Sequence, residues 1–187
     1  AFDAGDQRSP EFLSLNPNGK IPAILDPQGP DGRPLPLYES GAILVYLAGK
    51  TDQLLPADLA ARFETLQWLM WQMGAVGPMF GQVGFFHKFA GKDYEDKRPR
   101  DRYVAEARRL LKVLDDRLAG RAWIMGDHYG IADIATFPWV RNLVGFYGAA
   151  DLVGIGDFAE VTRVLAAFVA RPAVARGLLI PAAPATL

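Results

Sequence analysis

Between residues 50 and 56 the character of the chain changes, and that change constrains the fold more than any other feature. Before it, turn signals dominate: Asn16-Pro17-Asn18-Gly19, then Asp26-Pro27-Gln28-Gly29-Pro30-Asp31-Gly32. Two short β-like runs, residues 21–25 and 35–38, flank the second cluster, which predicts an antiparallel hairpin with a long loop. The first run carries Pro22, which cannot donate to a ladder and so belongs at an edge or a strand start. Ile43, Leu44 and Leu47 follow at helical spacing and predict a short helix starting near Ser40.

After Ala57 the pattern is almost entirely helical. Residues 58–90 are apolar-periodic, with Gly74, Gly77 and Pro78 as points where the helix can bend or split. GKDYEDKRPR reads as a charged loop. Residues 100–119 predict an amphipathic helix with Tyr103, Leu110, Leu111, Leu114 and Leu118 on one side. Residues 131–147 predict a mostly apolar, buried helix, and residues 157–170 another, stopped at Arg171-Pro172. The expected fold is therefore α+β: a strand–strand–helix unit over residues 1–50, a linker, and an all-helical domain over residues 57–187. A two-stranded hairpin with one helix is marginal by itself.

Composition excludes several classes. Twenty Lys and Arg against 21 Asp and Glu give a net charge of -1, which offers no field for nucleic acid or an anionic membrane. No uncharged apolar run is long enough to cross a bilayer. The opening AFDAGDQRSP lacks the basic and apolar regions of a secretory leader. The absence of cysteine removes disulfides, Cys-based zinc sites and a thiol nucleophile from these 187 residues. It also fits a reducing compartment. With only His87 and His128, a His-rich metal site is out of reach, and neither histidine sits in a recognisable nucleophile context.

The stretches SPEFLSLNPNGKIPAILD, LYESGAILVYLA and GIADIATFPW, in this order and spacing, resemble the cytosolic glutathione S-transferase superfamily over the whole chain. LQWLMWQMGAVGPMFGQ, DRYVAEARRLLKVLDDRL and ARPAVARG are similar to its bacterial Nu class, which includes glutathione-dependent disulfide-bond reductases. The resemblance implies a thioredoxin-like first domain of which residues 1–50 form the second half. The first β-α-β half, with the loop that activates the glutathione thiol, then lies outside this sequence. No catalytic residue is assigned. The implied co-substrate is glutathione, the implied partners are a small electrophile or a disulfide, and the protein is expected to be a cytoplasmic homodimer. The aromatic-rich first helix of the second domain would form the dimer interface.

The family pattern assigns glutathione-binding roles residue by residue. Glu39 and Ser40 should take the γ-glutamyl end, because a helix starting at Ser40 offers free N–H groups and a positive dipole end to a carboxylate. Taken by pattern alone, Ser40 reads first as an ordinary N-cap, and the resemblance reverses that order. By the resemblance, Ile21 and Pro22 should clamp the cysteinyl part, with Pro22 in a cis peptide and Ile21 lending its backbone to the ligand in the manner of strand addition; by pattern alone, Pro22 reads as a trans proline at a strand start. Lys20 should reach the glycyl carboxylate, or else is a surface lysine. Gln7 matches a glutamine that touches glutathione in Nu-class relatives. Arg102 is the arginine expected to reach the ligand from the helical domain, with Arg109 two turns later as its rival.

Among Trp68, Trp71, Met73, Phe80, Phe85, Phe86 and His87, most are expected in the core, leaving Phe85, Phe86 and His87 to line the substrate pocket. Gly130-Ile131-Ala132-Asp133 is a helix-start motif in which glycine replaces the family's Ser or Thr, with Asp133 still able to cap. These features point to a glutathione-dependent transferase or disulfide-bond reductase. A non-catalytic glutathione-transferase-like binding or regulatory protein is the open alternative.

Overall fold

The computed structural model describes residues 5–180. The chain divides into two compact units, the first ending at Asp58 and the second beginning at Leu59.

In the first unit a single 3-10 turn, Asp6–Arg8, leads into α1, Pro10–Leu15. Ser9 caps that helix by accepting the Phe12 N–H at 3.2 Å, and Pro10 occupies the first turn, where its missing donor costs nothing. Strands β1, Ala23–Asp26, and β2, Leu35–Tyr38, pair antiparallel with Ala23 opposite Tyr38 and Asp26 opposite Leu35. The first strand thus starts two residues later than the apolar run suggested. Ile21 and Pro22 stand outside the ladder, joined by a cis peptide bond. Asp26 closes the other end: its carboxylate accepts from the Gln28 N–H at 2.9 Å, from the Tyr46 hydroxyl at 2.5 Å and from Lys50. Helix α2, Ser40–Thr51, supplies Tyr46 and Lys50 and ends at Asp52 in a left-handed conformation.

The second unit is helical. Its first helix, α3, Leu59–Trp71, continues through a π-helical turn at Gln72–Val76 into α4, Gly77–His87. The segment is thus interrupted where Gly74 and Gly77 lie, but by a widened turn rather than a break. A 3-10 turn, Ala90–Asp93, precedes α5, Arg98–Leu118. Helix α5 buries Ala107, Leu110, Leu111, Leu114 and Leu118, with Tyr103 half-buried on the same side. Each buried leucine contributes about 1.5–3 kcal/mol relative to exposure.

Helix α6, Ile131–Arg141, is buried through most of its length and runs into a second π-helical turn, Asn142–Phe146. Its start is built on Asp133, whose two carboxylate oxygens accept the Ile124 and Gly130 N–H groups, each at 2.9 Å. Helices α7, Ala159–Ala170, and α8, Pro172–Gly177, complete the unit. Helix α7 is capped from elsewhere: Asp115 of α5 accepts the Glu160 and Val161 N–H groups at 2.8 and 3.0 Å. One close approach fixes a residue type. A Cβ at Gly84 would stand 2.8 Å from three ring atoms of Tyr147, so only glycine lets that ring lie on α4.

Candidate functional site

The hairpin register decides which residues can share a site. Because Ala23 faces Tyr38 in an antiparallel pair, the next residues outward, Pro22 and Glu39, flank the same open end of the hairpin. Ile21-Pro22 and Glu39-Ser40 are thereby brought together from positions 18 residues apart in the chain. Gln7 joins them through Gly19: a Cβ on that residue, whose φ is +64°, would lie 3.3 Å from the Gln7 carbonyl oxygen. Lys20 follows directly. The sequence-derived candidates of the first unit therefore converge on one end of it.

The local geometry there suits an anionic peptide. Ile21 is 61% exposed, and its N–H has no hydrogen-bond partner among the described residues. Glu39 holds φ 68° and ψ 113°, an unusual backbone for a residue with a side chain, immediately before α2. Backbone strain of this kind concentrates at ligand sites. Its carbonyl accepts the Ile43 N–H at 2.9 Å, while its exposed side chain makes no cap bond. The first turn of α2 carries the positive dipole end of any helix start, and no acidic residue lies within that turn.

The closed end of the hairpin is different. An apolar groove of about 400 Å³ lies there, lined by Gln28, Pro30, Val45, Tyr46, Gly49 and Lys50. Its polar groups already serve each other. Lys50 donates to the Gln28 carbonyl at 2.8 Å and pairs with Asp26. Lys50 foremost, with Tyr46 and the Gln28 N–H, holds the Asp26 carboxyl down at about 2. The charged groups of this groove are thus paired with each other.

In the second unit, Arg102 is exposed on α5; its side chain makes no hydrogen bond among the described residues, although its charge, after the Arg109 contact, also lowers the Glu106 carboxyl. Arg109 gives two N–H groups to Glu106 at 2.7 and 2.8 Å. The residue types alone do not separate these arginines, since Glu106 lies within helical reach of both.

Phe85 and Phe86 are half-buried in an aromatic cluster. Their rings meet edge to face at 4.9 Å, and Phe86 stacks on Tyr103 at 5.6 Å with Tyr94 beside both. A ring nitrogen of His87 lies 3.2 Å from the Gly148 carbonyl. Phe80 is fully buried, as expected of a core residue. The sequence pattern does not single out two more exposed aromatics, Phe89 at 45% and Phe146 at 56%, with Lys88 lying 3.9 Å over the Phe146 ring. Phe146 lies inside the stretch 131–147 expected as a buried helix, and nothing in the pattern marks its exposure.

Comparison with known proteins bears on the chain as a whole. The glutathione S-transferase N-terminal domain matches residues 2–50, and the glutathione S-transferase C-terminal domain matches residues 99–171. The crystal structure of a glutathione transferase from Burkholderia graminis, with two glutathione molecules bound per subunit, is 72% identical, with a TM-score of 0.95. That match covers 97% of this chain and 76% of the other. A glutathione transferase from Pseudomonas putida, with one glutathione disulfide bound per subunit, is 68% identical, covering 97% of this chain and 78% of the other, with a TM-score of 0.95. The disulfide-bond oxidoreductase YghU of Escherichia coli is 43% identical over 94% of this chain. The chain spans 60% of the length of YghU.

Proposed function

The chain belongs to the glutathione S-transferase family, and on that premise we propose that it is a glutathione-dependent thiol enzyme, a disulfide-bond reductase or transferase. The observation that carries this reading is the hairpin register, which sets an unpaired backbone edge at Ile21-Pro22 beside Glu39-Ser40 at the start of α2. In this reading Ile21 pairs with the cysteinyl backbone of glutathione. Glu39 takes the γ-glutamyl ammonium, while Ser40 and the α2 N-terminus take its carboxylate. Lys20 meets the glycyl carboxylate, and Gln7 contributes a further polar contact. Arg102 is the arginine that reaches the ligand, a choice supported by the engagement of Arg109 with Glu106. Phe85, Phe86 and His87 border the acceptor.

Disulfide chemistry is favoured by two facts. Relatives carry two glutathione molecules or glutathione disulfide, and these 187 residues hold no cysteine. The thiolate of one bound glutathione attacks a substrate sulfur, forming a mixed disulfide and releasing the other sulfur as a thiolate that takes a proton from water. A second glutathione thiolate then attacks the mixed disulfide, giving glutathione disulfide and the second substrate thiol. The same reading includes Nu-class membership, a cytoplasmic location and a homodimer. Exposed Leu59, Phe63 and Met70, spaced along one side of α3, support pairing through that helix.

The test, on the full-length protein, is turnover of a model disulfide and of an aryl halide with reduced glutathione. Consumption of the disulfide with formation of glutathione disulfide is expected. No turnover of either, with glutathione still binding, contradicts the enzyme reading and leaves a non-catalytic binder.

A further inference from the structure

Asn16 is the one buried polar side chain among the described residues of the first unit, at 2% exposure, although its neighbours Pro17 and Asn18 are exposed. Burying an amide is tolerated only when its hydrogen bonds are met. Its Oδ1 accepts the Asn18 N–H at 2.9 Å, and its Nδ2 donates to the Lys20 carbonyl at 2.6 Å. Its backbone carbonyl accepts the Gly19 N–H at 3.0 Å, and its own N–H closes α1 on the Phe12 carbonyl at 2.9 Å. Asn16 therefore gathers the turn between α1 and β1 around itself.

The bond to Lys20 has a consequence at the site. The Lys20 carbonyl and the Ile21 N–H belong to one planar peptide unit, so fixing the direction of the first fixes the second in the opposite sense. The Asn16 amide holds the carbonyl inward, and the Ile21 N–H, unpartnered among the described residues, is aimed outward. The Asx turn at Asn18 needs only the acceptor half of the side chain; the donor half acts on the segment that precedes the ligand edge.

We propose that Asn16 is a positioning residue that pre-orients the Lys20–Ile21 peptide for the backbone of glutathione. This rests on the reading of the hairpin end as the glutathione site. Pre-orientation lowers the ordering cost of binding, so its loss weakens glutathione without altering the chemical step.

Two substitutions separate this from a structural role. Asn16→Asp keeps the acceptor for Asn18 and loses the donor to Lys20. Asn16→Ser is uncharged and too short to reach Lys20. In the full-length protein, reduced glutathione is titrated into wild type and both variants well below each unfolding midpoint, and kcat is measured at saturating glutathione with a model disulfide. Both variants are expected to weaken glutathione about tenfold, the scale of one buried hydrogen bond, with kcat nearly unchanged. Unchanged affinity in a folded Asn16→Ser, or weakening by Asn16→Asp alone, overturns the proposal, the latter because it reports charge repulsion. In the wild type, the Ile21 amide resonance is expected to shift on adding glutathione. An unresponsive Ile21 amide overturns the proposal even if neither variant folds. Wild type that binds no glutathione overturns the functional reading itself, whereas the other failures leave that reading standing.

Discussion

The two units handle carboxylates in opposite ways. In the first, Asp26 sits at the rim of a small hairpin, surrounded by donors from Lys50, Tyr46 and Gln28, and its carboxyl is held down at about 2. In the second, Asp133 is fully buried, and desolvation pushes its carboxyl up to about 6 despite the two backbone N–H groups it accepts. The same contrast runs through the apolar residues. The second unit encloses side chains from α4, α5, α6 and α7 in one core, while the first buries Ile43 and Ala48 and leaves Ile21, Leu25 and Leu47 more than 40% exposed. One unit spends its polar groups on folding. The other leaves the Ile21 N–H without a partner among the described residues at its open hairpin end.

Asp133→Ala gives the largest expected loss within the second unit. It strands two buried N–H groups, at Ile124 and Gly130, and should cost about 2–4 kcal/mol. Thermal unfolding reads that loss, and glutathione affinity measured on the folded variant should stay near wild type. A variant that unfolds normally but no longer binds would break the division of labour.

The pH dependence of stability comes next and has opposite signs in the two units. A raised folded value means that the neutral form of Asp133 is the one the fold favours. Its contribution is full below the ordinary value of 3.8 and fades as pH rises through about 6, a span of about 1–3 kcal/mol. Asp26 is the reverse: its contribution is present above 3.8 and disappears as pH falls through about 2. Unfolding midpoints of Asp133→Asn between pH 4 and 7 should show a flatter profile than wild type, and Asp26→Asn should flatten only the acid limb.

Gly84→Ala should cost about 1–2 kcal/mol by pushing the Tyr147 ring off α4, whereas Gly74→Ala, with open space at its Cβ, should be nearly neutral or stabilising. Equal unfolding midpoints for the two would contradict the close approach. The smallest stability effect is expected at the arginines. Arg102→Ala should leave the midpoint in place and weaken glutathione several-fold, while Arg109→Ala, which loses only an exposed pair with Glu106, should change neither.

Much of this layout is legible in the sequence because local chemistry dictates it. Leu35–Tyr38 alternates as a strand, Ser40 opens α2, and the leucines of α5 repeat at helical spacing, and each stands where expected. The misses have physical causes. Ile21 is β-branched and apolar, yet Pro22 delays the ladder to Ala23. The π-helical turns at Gln72–Val76 and Asn142–Phe146 keep an apolar pattern that a 3.6-residue period does not distinguish. Pro172 reads as the stop of α7, but it also occupies the first turn of α8. The cap of α7 comes from Asp115, 45 residues away from Glu160, with no local trace. The turn Asn16-Pro17-Asn18-Gly19 was evident, but the reach of its first residue to the Lys20 carbonyl was not.

The most direct test of the central claim, that the open hairpin end holds glutathione, is calorimetric titration of reduced glutathione into Glu39→Gln beside wild type. Glu39 is exposed and caps nothing, so the variant should unfold at the wild-type temperature. Its neutral amide cannot pair with the γ-glutamyl ammonium, and affinity should fall at least about tenfold. An unchanged dissociation constant in the folded variant would contradict the account.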